Sequence, residues 1–218
     1  MHLSRNGKEC VGDYLEFGVF QGTSMTCMWQ MLKEMDLGHV RMFGFDSFEG
    51  LPDEAAIDDD GSWKPGEFAA LHELTKERLA EAGVPENRAG LIKGWFSDTL
   101  NDETVTRHGI GKASVIMIDA DMYTSSKQAL DFCVPLIDQE AVLIMDDWYA
   151  SNGSFVDRNM GQPRALNEFL AENPHFQTTD AGPYSVFGRL AGHVFALKRA
   201  VMALFLGQLV PPELLVLV

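Results

Sequence analysis

The chain has 218 residues, 46% of them apolar, and carries 32 acidic against 17 basic side chains for a formal charge of −15. That length fits a single α/β domain able to bury about 70% of its unfolded surface without staples, and so acidic a chain argues against a nucleic-acid partner. Cys10, Cys27 and Cys133 are odd in number and lack metal-ligand spacing; Cys27 and Cys133 fall in apolar helical contexts and read as small buried hydrophobes, which fits a reducing, cytoplasmic setting.

Strand and helix signals alternate along the chain, as they do in parallel βαβ units. The opening residues, Met1 to Lys8, have no apolar core and do not read as a signal peptide. Tyr14 to Phe17 predicts a first strand. The helix after it begins near Thr23 and ends at Gly38, with Met25, Met28, Met31 and Met35 recurring at helical intervals as core filling. His39 to Phe45 predicts a second strand that stops at Asp46. The Gly-, Pro- and acid-rich stretch that follows, 51–66, is either a lid beside a strand end or a solvated insertion. Phe68 to Ala82 predicts an amphipathic helix that Gly83 and Pro85 terminate, and Ala89 to Lys93 a third strand.

Val115 to Ile118 and Ala141 to Met145 are apolar runs separated by a helix over Thr124 to Ile137, which reads as two buried parallel neighbours joined by a right-handed crossover. After a helix over Pro163 to Glu172, strands are expected at Phe176 to Thr179, Tyr184 to Leu190 and Val194 to Lys198, the last two forming an antiparallel hairpin turned at Ala191 to His193. Residues 1–199 thus make one domain. The apolar segment 200–218 is expected to pack on it or on another subunit, giving a homo-oligomer. Lys198 and Arg199 interrupt the longest apolar run, so no membrane span is expected.

The two central runs stop on Asp119-Ala120-Asp121 and on Asp146-Asp147. Adjacent parallel strands are about 5 Å apart, so four carboxylates would crowd one edge of the sheet. Two carboxylates 4 Å apart repel by about 4 kcal/mol at an effective dielectric of about 20. A hard divalent ion, Mg²⁺, relieves that repulsion; alternatively, some of these aspartates only cap the helices that follow.

Three other strand ends describe a pocket. Gly18 and Gly22, in the turn Gly18-Val19-Phe20-Gln21-Gly22-Thr23-Ser24, allow close approach of a ligand whose anionic end sits at the helix start, and Glu16 suits an ammonium group. Phe20 stands where a dinucleotide fingerprint has its middle glycine, which argues against pyrophosphate. Asp46 can take ribose hydroxyls or be a turn aspartate. Trp95, Phe96 and Ser97 offer flat faces and polar atoms to an adenine, or else belong to the core. Together these ends suit a nucleoside with an amino-acid tail, namely S-adenosylmethionine.

The segments Tyr14 to Gly22, Gly44-Phe45-Asp46-Ser47-Phe48-Glu49-Gly50-Leu51-Pro52, Gly94-Trp95-Phe96-Ser97-Asp98-Thr99-Leu100, Asp119-Ala120-Asp121-Met122-Tyr123 and Asp146-Asp147 resemble the macrocin O-methyltransferase family, over roughly residues 12–199. The resemblance implies a Rossmann-like class I methyltransferase fold, a mostly parallel seven-stranded sheet ending in an antiparallel hairpin. It implies Asp119, Asp146 and Asp147 as Mg²⁺ ligands and Asp121 as general base. It also places Glu16, Gly18, Val19, Phe20, Gly22 and Ser24 in the methionine-binding turn, Asp46 at the ribose, and Ser47, Phe48, Trp95, Phe96 and Ser97 around the adenine, with Asp119 adjoining the cofactor. The implied reaction is methylation of a hydroxyl on a small sugar or natural-product acceptor. Two departures are Ala120 where the family has glycine, and the 13 residues before Tyr14 where the family carries extra helices. The competing readings are a metal-dependent nucleotide-sugar glycosyltransferase, using Asp119-Ala120-Asp121 as a D-x-D, and a cofactor-binding protein without catalysis.

Overall fold

A computed structural model describes residues 7–149, 154–187 and 190–200. Its centre is a seven-stranded sheet of β1 (Asp13–Phe17), β2 (Met42–Asp46), β3 (Ala89–Lys93), β4 (Ala113–Ile118), β5 (Glu140–Met145), β6 (Phe176–Phe187) and β7 (Leu190–Arg199). The order is β3-β2-β1-β4-β5-β7-β6. The first five strands pair in parallel, and β7 runs antiparallel to both β5 and β6. The fold class read from the sequence is therefore the one observed.

Alternation along the central strands sorts their side chains between two helical layers. Leu15, Phe17, Ile116 and Ile118 join a core that reaches α5 (Tyr123–Cys133) and α7 (Gly161–Glu172). Tyr14 and Met117 point to the other core, with α1 (Thr23–Glu34) and α2 (His72–Glu81). In the first layer Phe17 and Phe45 stack with centroids 5.1 Å apart. The other α-helices among the described residues are the short α3 (Phe96–Thr99), α4 (Asp102–His108) and α6 (Ser154–Arg158).

Several boundaries differ from the sequence reading. Phe176 to Thr179 and Tyr184 onward are one strand, β6, whose register shifts between Asp180 and Gly182 and again between Tyr184 and Val186. Its partner β7 begins at Leu190, so the expected turn at Ala191 to His193 lies inside a strand. The helix expected from Phe68 begins at His72, because Phe68 adopts a left-handed φ of 63°. On α1, Met25 is buried, but Met31 and Met35 are about half exposed and fill no core. Cys27 is exposed as well, whereas Cys133 is buried. Apart from Ala200, the apolar tail and the oligomer contact assigned to it lie outside the described residues. Among the described residues no helix is long and apolar enough to cross a membrane.

The 51–66 segment is anchored rather than freely solvated. It folds into two 3-10 turns, Asp53–Ala56 and Asp58–Gly61. Neither α5 nor α7 has a side-chain cap on its own N-cap residue, and this loop supplies both from a distance. Asp59 accepts the Tyr123 N–H at 2.8 Å and the Gly161 N–H at 2.7 Å, and Asp58 accepts the Thr124 N–H at 2.7 Å. Each such cap contributes about 1 kcal/mol, up to about 2. Asp59→Ala is expected to lower unfolding free energy by about 2–3 kcal/mol, since it frees two helix starts at once; urea denaturation measures this.

Candidate active site

The carboxyl ends of five strands form one row because each is hydrogen-bonded to its neighbour. Gly94 N–H donates to Asp46 O, Gly18 N–H to Phe45 O, Asp119 N–H to Phe17 O and Asp146 N–H to Ile118 O, all at 2.8–3.0 Å. Strand order reverses between β1 and β4, where open α/β sheets hold ligands. Gly18 sits at that reversal with φ +88°, and a Cβ on it would lie 1.8 Å from the Asp119 carbonyl oxygen. Glycine is therefore required for the first turn to pass the aspartate cluster. The row opens into a cavity of about 860 Å³, lined among others by Gly18, Phe20, Asp46, Ser47, Trp95, Phe96, Ser97, Asp119, Asp121, Asp146 and Asp147.

Asp119, Asp146 and Asp147 each offer a carboxylate oxygen, and the three atoms lie within 4.8 Å of one another. At such separations like charges repel by about 3–4 kcal/mol per pair at an effective dielectric of about 20. Burial first, and then repulsion by neighbouring carboxylates, pushes the carboxyls of Asp119, Asp121 and Asp147 well above the usual range. The donors are all anionic oxygens, a set that fits a hard cation such as Mg²⁺ and not a soft one. Asp147 is held by the Asp121 N–H at 2.9 Å and by the Gln162 amide at 3.3 Å. Asp121 itself has a left-handed φ of 57°.

The residues that the sequence reading assigns to the cofactor divide. Asp46 lines the cavity, but one of its oxygens accepts the Val19 and Phe20 N–H groups, both at 2.7 Å, and the other accepts the Phe48 N–H at 2.6 Å. A carboxylate has about four acceptor positions, so about one remains for an outside donor. The turn-aspartate alternative describes these bonds. They hold Phe20 and Phe48 in left-handed conformations, at φ 51° and 59°.

Glu16, Val19, Gly22, Ser24 and Phe48 do not line the cavity. Strand alternation puts Glu16 on the α1 side of the sheet, fully buried, with the Tyr14 hydroxyl on one oxygen and the Ser24 hydroxyl on the other at 2.5 Å. Burial outweighs those two hydroxyls and raises the Glu16 carboxyl from 4.5 to about 7. A raised pKa means that the folded chain holds the proton more tightly than the unfolded one. That stabilisation is fully present below about pH 4.5 and is lost as pH rises through about 7, at about 1.4 kcal/mol per pH unit or about 3 kcal/mol in all. Glu16→Gln should abolish this component, so the variant should gain about 3 kcal/mol on the parent between pH 4.5 and pH 7.5 in urea unfolding.

Parts of the wall were missed in the sequence. Thr124, Ser125 and Gln128 reach the cavity from the first turns of α5, and Glu49, Asp53, Glu54 and Trp63 from the loop after β2. The signal on α5 was Thr124 and Gln128, four apart and opposite the buried Ala129, Leu130 and Cys133; Ser125 is itself buried on the Ala129 side. The loop residues carried no periodic signal.

The family model described as Macrocin-O-methyltransferase (TylF) matches residues 5–169. The chain belongs to the macrocin O-methyltransferase family. The Streptomyces olivaceus family relative 8-demethyl-8-(2,3-dimethoxy-alpha-L-rhamnosyl)-tetracenomycin-C 4'-O-methyltransferase is 29% identical over 143 residues, 63% of this chain and 53% of that protein. Demethyldecarbamoylnovobiocin O-methyltransferase of Streptomyces niveus is 26% identical over 152 residues, 65% of this chain and 55% of that one. The chain thus spans about half the length of the curated relatives it matches. Among solved structures, the O-methyltransferase NovP superposes with a TM-score of 0.68 at 20% identity, covering 91% of this chain and 75% of that one. TomG from Streptomyces achromogenes, solved with SAM, gives 0.59 at 20%, covering 86% and 73%. At this identity the likeness to both is one of fold.

Proposed function

We propose that this macrocin O-methyltransferase family member transfers a methyl group from S-adenosylmethionine to a hydroxyl of a small sugar-bearing or natural-product acceptor, with Mg²⁺ as its resident ion. The observation that carries the reading is that three clustered carboxylates and a fourth, Asp121, share one cavity wall with a glycine turn and an aromatic strand end.

Bound S-adenosylmethionine would supply an electrophilic methyl on a sulfonium, and Mg²⁺ held by Asp119, Asp146 and Asp147 would supply Lewis acidity that makes an alcohol easier to deprotonate. The chain's own residues do the rest. Gly18 and Phe20 border the methionine end, Asp46 and Ser47 the ribose, and Trp95, Phe96 and Ser97 the adenine. Asp121 is placed to take the proton of the acceptor hydroxyl on a carboxylate oxygen, and the cofactor held by those residues would supply the methyl group to that oxygen. Burial makes Asp121 a stronger base than a free carboxylate. Holding the oxygen in line with the methyl adds the advantage of proximity.

Charge separates this reading from glycosyl transfer. Glu49, Asp53 and Glu54 add to the acidic wall, and no Lys, Arg or His stands among the described lining residues. A sugar diphosphate would meet repulsion there, while a sulfonium and a divalent cation are welcomed. The non-catalytic reading leaves the position of Asp121 without purpose. The test is methyl transfer from labelled S-adenosylmethionine to a panel of neutral glycosides, with and without chelator, beside calorimetric titration with S-adenosylmethionine and NAD. Transfer that needs Mg²⁺ is expected; NAD binding as tightly as S-adenosylmethionine would overturn the reading.

A further inference from the structure

We propose that Tyr184 is a positioning residue for Asp146, its hydroxyl holding one carboxylate oxygen so that the other is presented to the cation. The inference rests on the metal reading above and extends it to the C-terminal hairpin, beyond the residues 5–169 that the family model matches.

The hydroxyl of Tyr184 donates to Asp146 Oδ1. Tyr184 is on β6 and Asp146 follows β5, with β7 between them. Two strand spacings are about 10 Å, which a side chain crosses only if it is long and lies over the middle strand. The middle strand is shaped for that. Gly192 of β7 is the register partner of Tyr184, and a Cβ on Gly192 would stand 2.1 Å from the tyrosine Cε1. The next residue, His193, pairs with Met145, the last residue of β5 before Asp146. Register shifts on both sides of Tyr184 re-aim β6 at this point, as bulges do.

The hairpin is also fastened by bonds that do not involve Asp146. His193 Nε2 is 2.8 Å from Asp180 Oδ1, and its Nδ1 is 3.2 Å from the Tyr149 hydroxyl. The Tyr184 contact is therefore not needed to keep β6 and β7 together. Tyr184 does not line the cavity, so it acts through Asp146 and not on the acceptor. Groups that hydrogen-bond a metal-ligating carboxylate fix its orientation, and losing one typically weakens metal binding about 10- to 100-fold.

The experiment is calorimetric titration of the purified full chain with MgCl₂ and with MnCl₂, comparing the parent, Tyr184→Phe and Asp180→Ala. Tyr184→Phe is expected to weaken Mg²⁺ binding at least about tenfold. Asp180→Ala loosens the hairpin without touching the cluster and should change it by less than about twofold. Unchanged affinity in Tyr184→Phe overturns the proposal, as does an equal loss in Asp180→Ala, which would assign the effect to the hairpin and not to the hydroxyl. A parent chain that takes up neither ion removes the metal reading and this inference with it, a result distinct from either.

Discussion

Asp121→Asn is expected to lower kcat by about 10²- to 10⁴-fold, the usual contribution of a positioned general base, with S-adenosylmethionine and Mg²⁺ binding little changed. The substitution is chosen for its backbone. Asp121 occupies a left-handed conformation at φ 57°, which is strained for most residues but well tolerated by asparagine. Its N–H continues to bond Asp147 Oδ2, 2.9 Å away, so the neighbouring carboxylate stays in place. What asparagine lacks is a carboxylate oxygen to receive the acceptor's proton. Single-turnover kinetics at saturating cofactor, paired with calorimetry on the same preparation, separates loss of chemistry from loss of binding. A kcat within about threefold of the parent would show that the proton leaves by another route, because removal of a true base costs far more.

The sequence made the central sheet legible because β2, β4 and β5 are largely apolar runs closed by Asp, and such runs alternating with helical segments have few other readings. It made the aspartate cluster legible because β4 and β5 are neighbours in register, Ile118 with Met145. The same neighbour relation joins Gly18 to Asp119. The hairpin was less readable. Asp180-Ala181-Gly182-Pro183 has the composition of a loop, yet β6 tolerates it as the edge strand, where a proline breaks no ladder and a bulge absorbs the glycine.

Long-range polar bonds left no local trace. Asp59 caps Tyr123 and Gly161, 64 and 102 residues away, and nothing near Asp58-Asp59-Asp60 distinguishes a remote cap from a solvated acid. The partners of Glu16 were equally hard to read. The period-2 rule alone places it on the α1 side of the sheet, and Tyr14, two residues before it on the same face, is the partner that completes its burial.

Asp119→Asn should move stability and activity in opposite directions. In the metal-free chain the Asp119 carboxyl is pushed up by burial first, then by Asp147 and Asp146. The stabilisation from its bound proton is present below the ordinary carboxylate range and is lost as pH rises through the raised value, so the ionised cluster is a liability at neutral pH without a cation. An asparagine removes one charge while its amide can still donate to Asp146. Without metal at pH 7.5 the variant should therefore melt a few degrees above the parent, about 1–2 kcal/mol of relief. Mg²⁺ should reverse the order. At about 100 times its dissociation constant a ligand adds about 2.7 kcal/mol to the parent, and a variant lacking one of three carboxylates should gain almost none. Its kcat should fall by about 10³-fold, the scale on which a missing electrostatic partner for a developing oxyanion is felt. Thermal melts with and without MgCl₂ would thus cross. If the variant instead melted below the parent in chelator, Asp119 would be satisfied by the protein alone, and the cluster would need no ion to be tolerated.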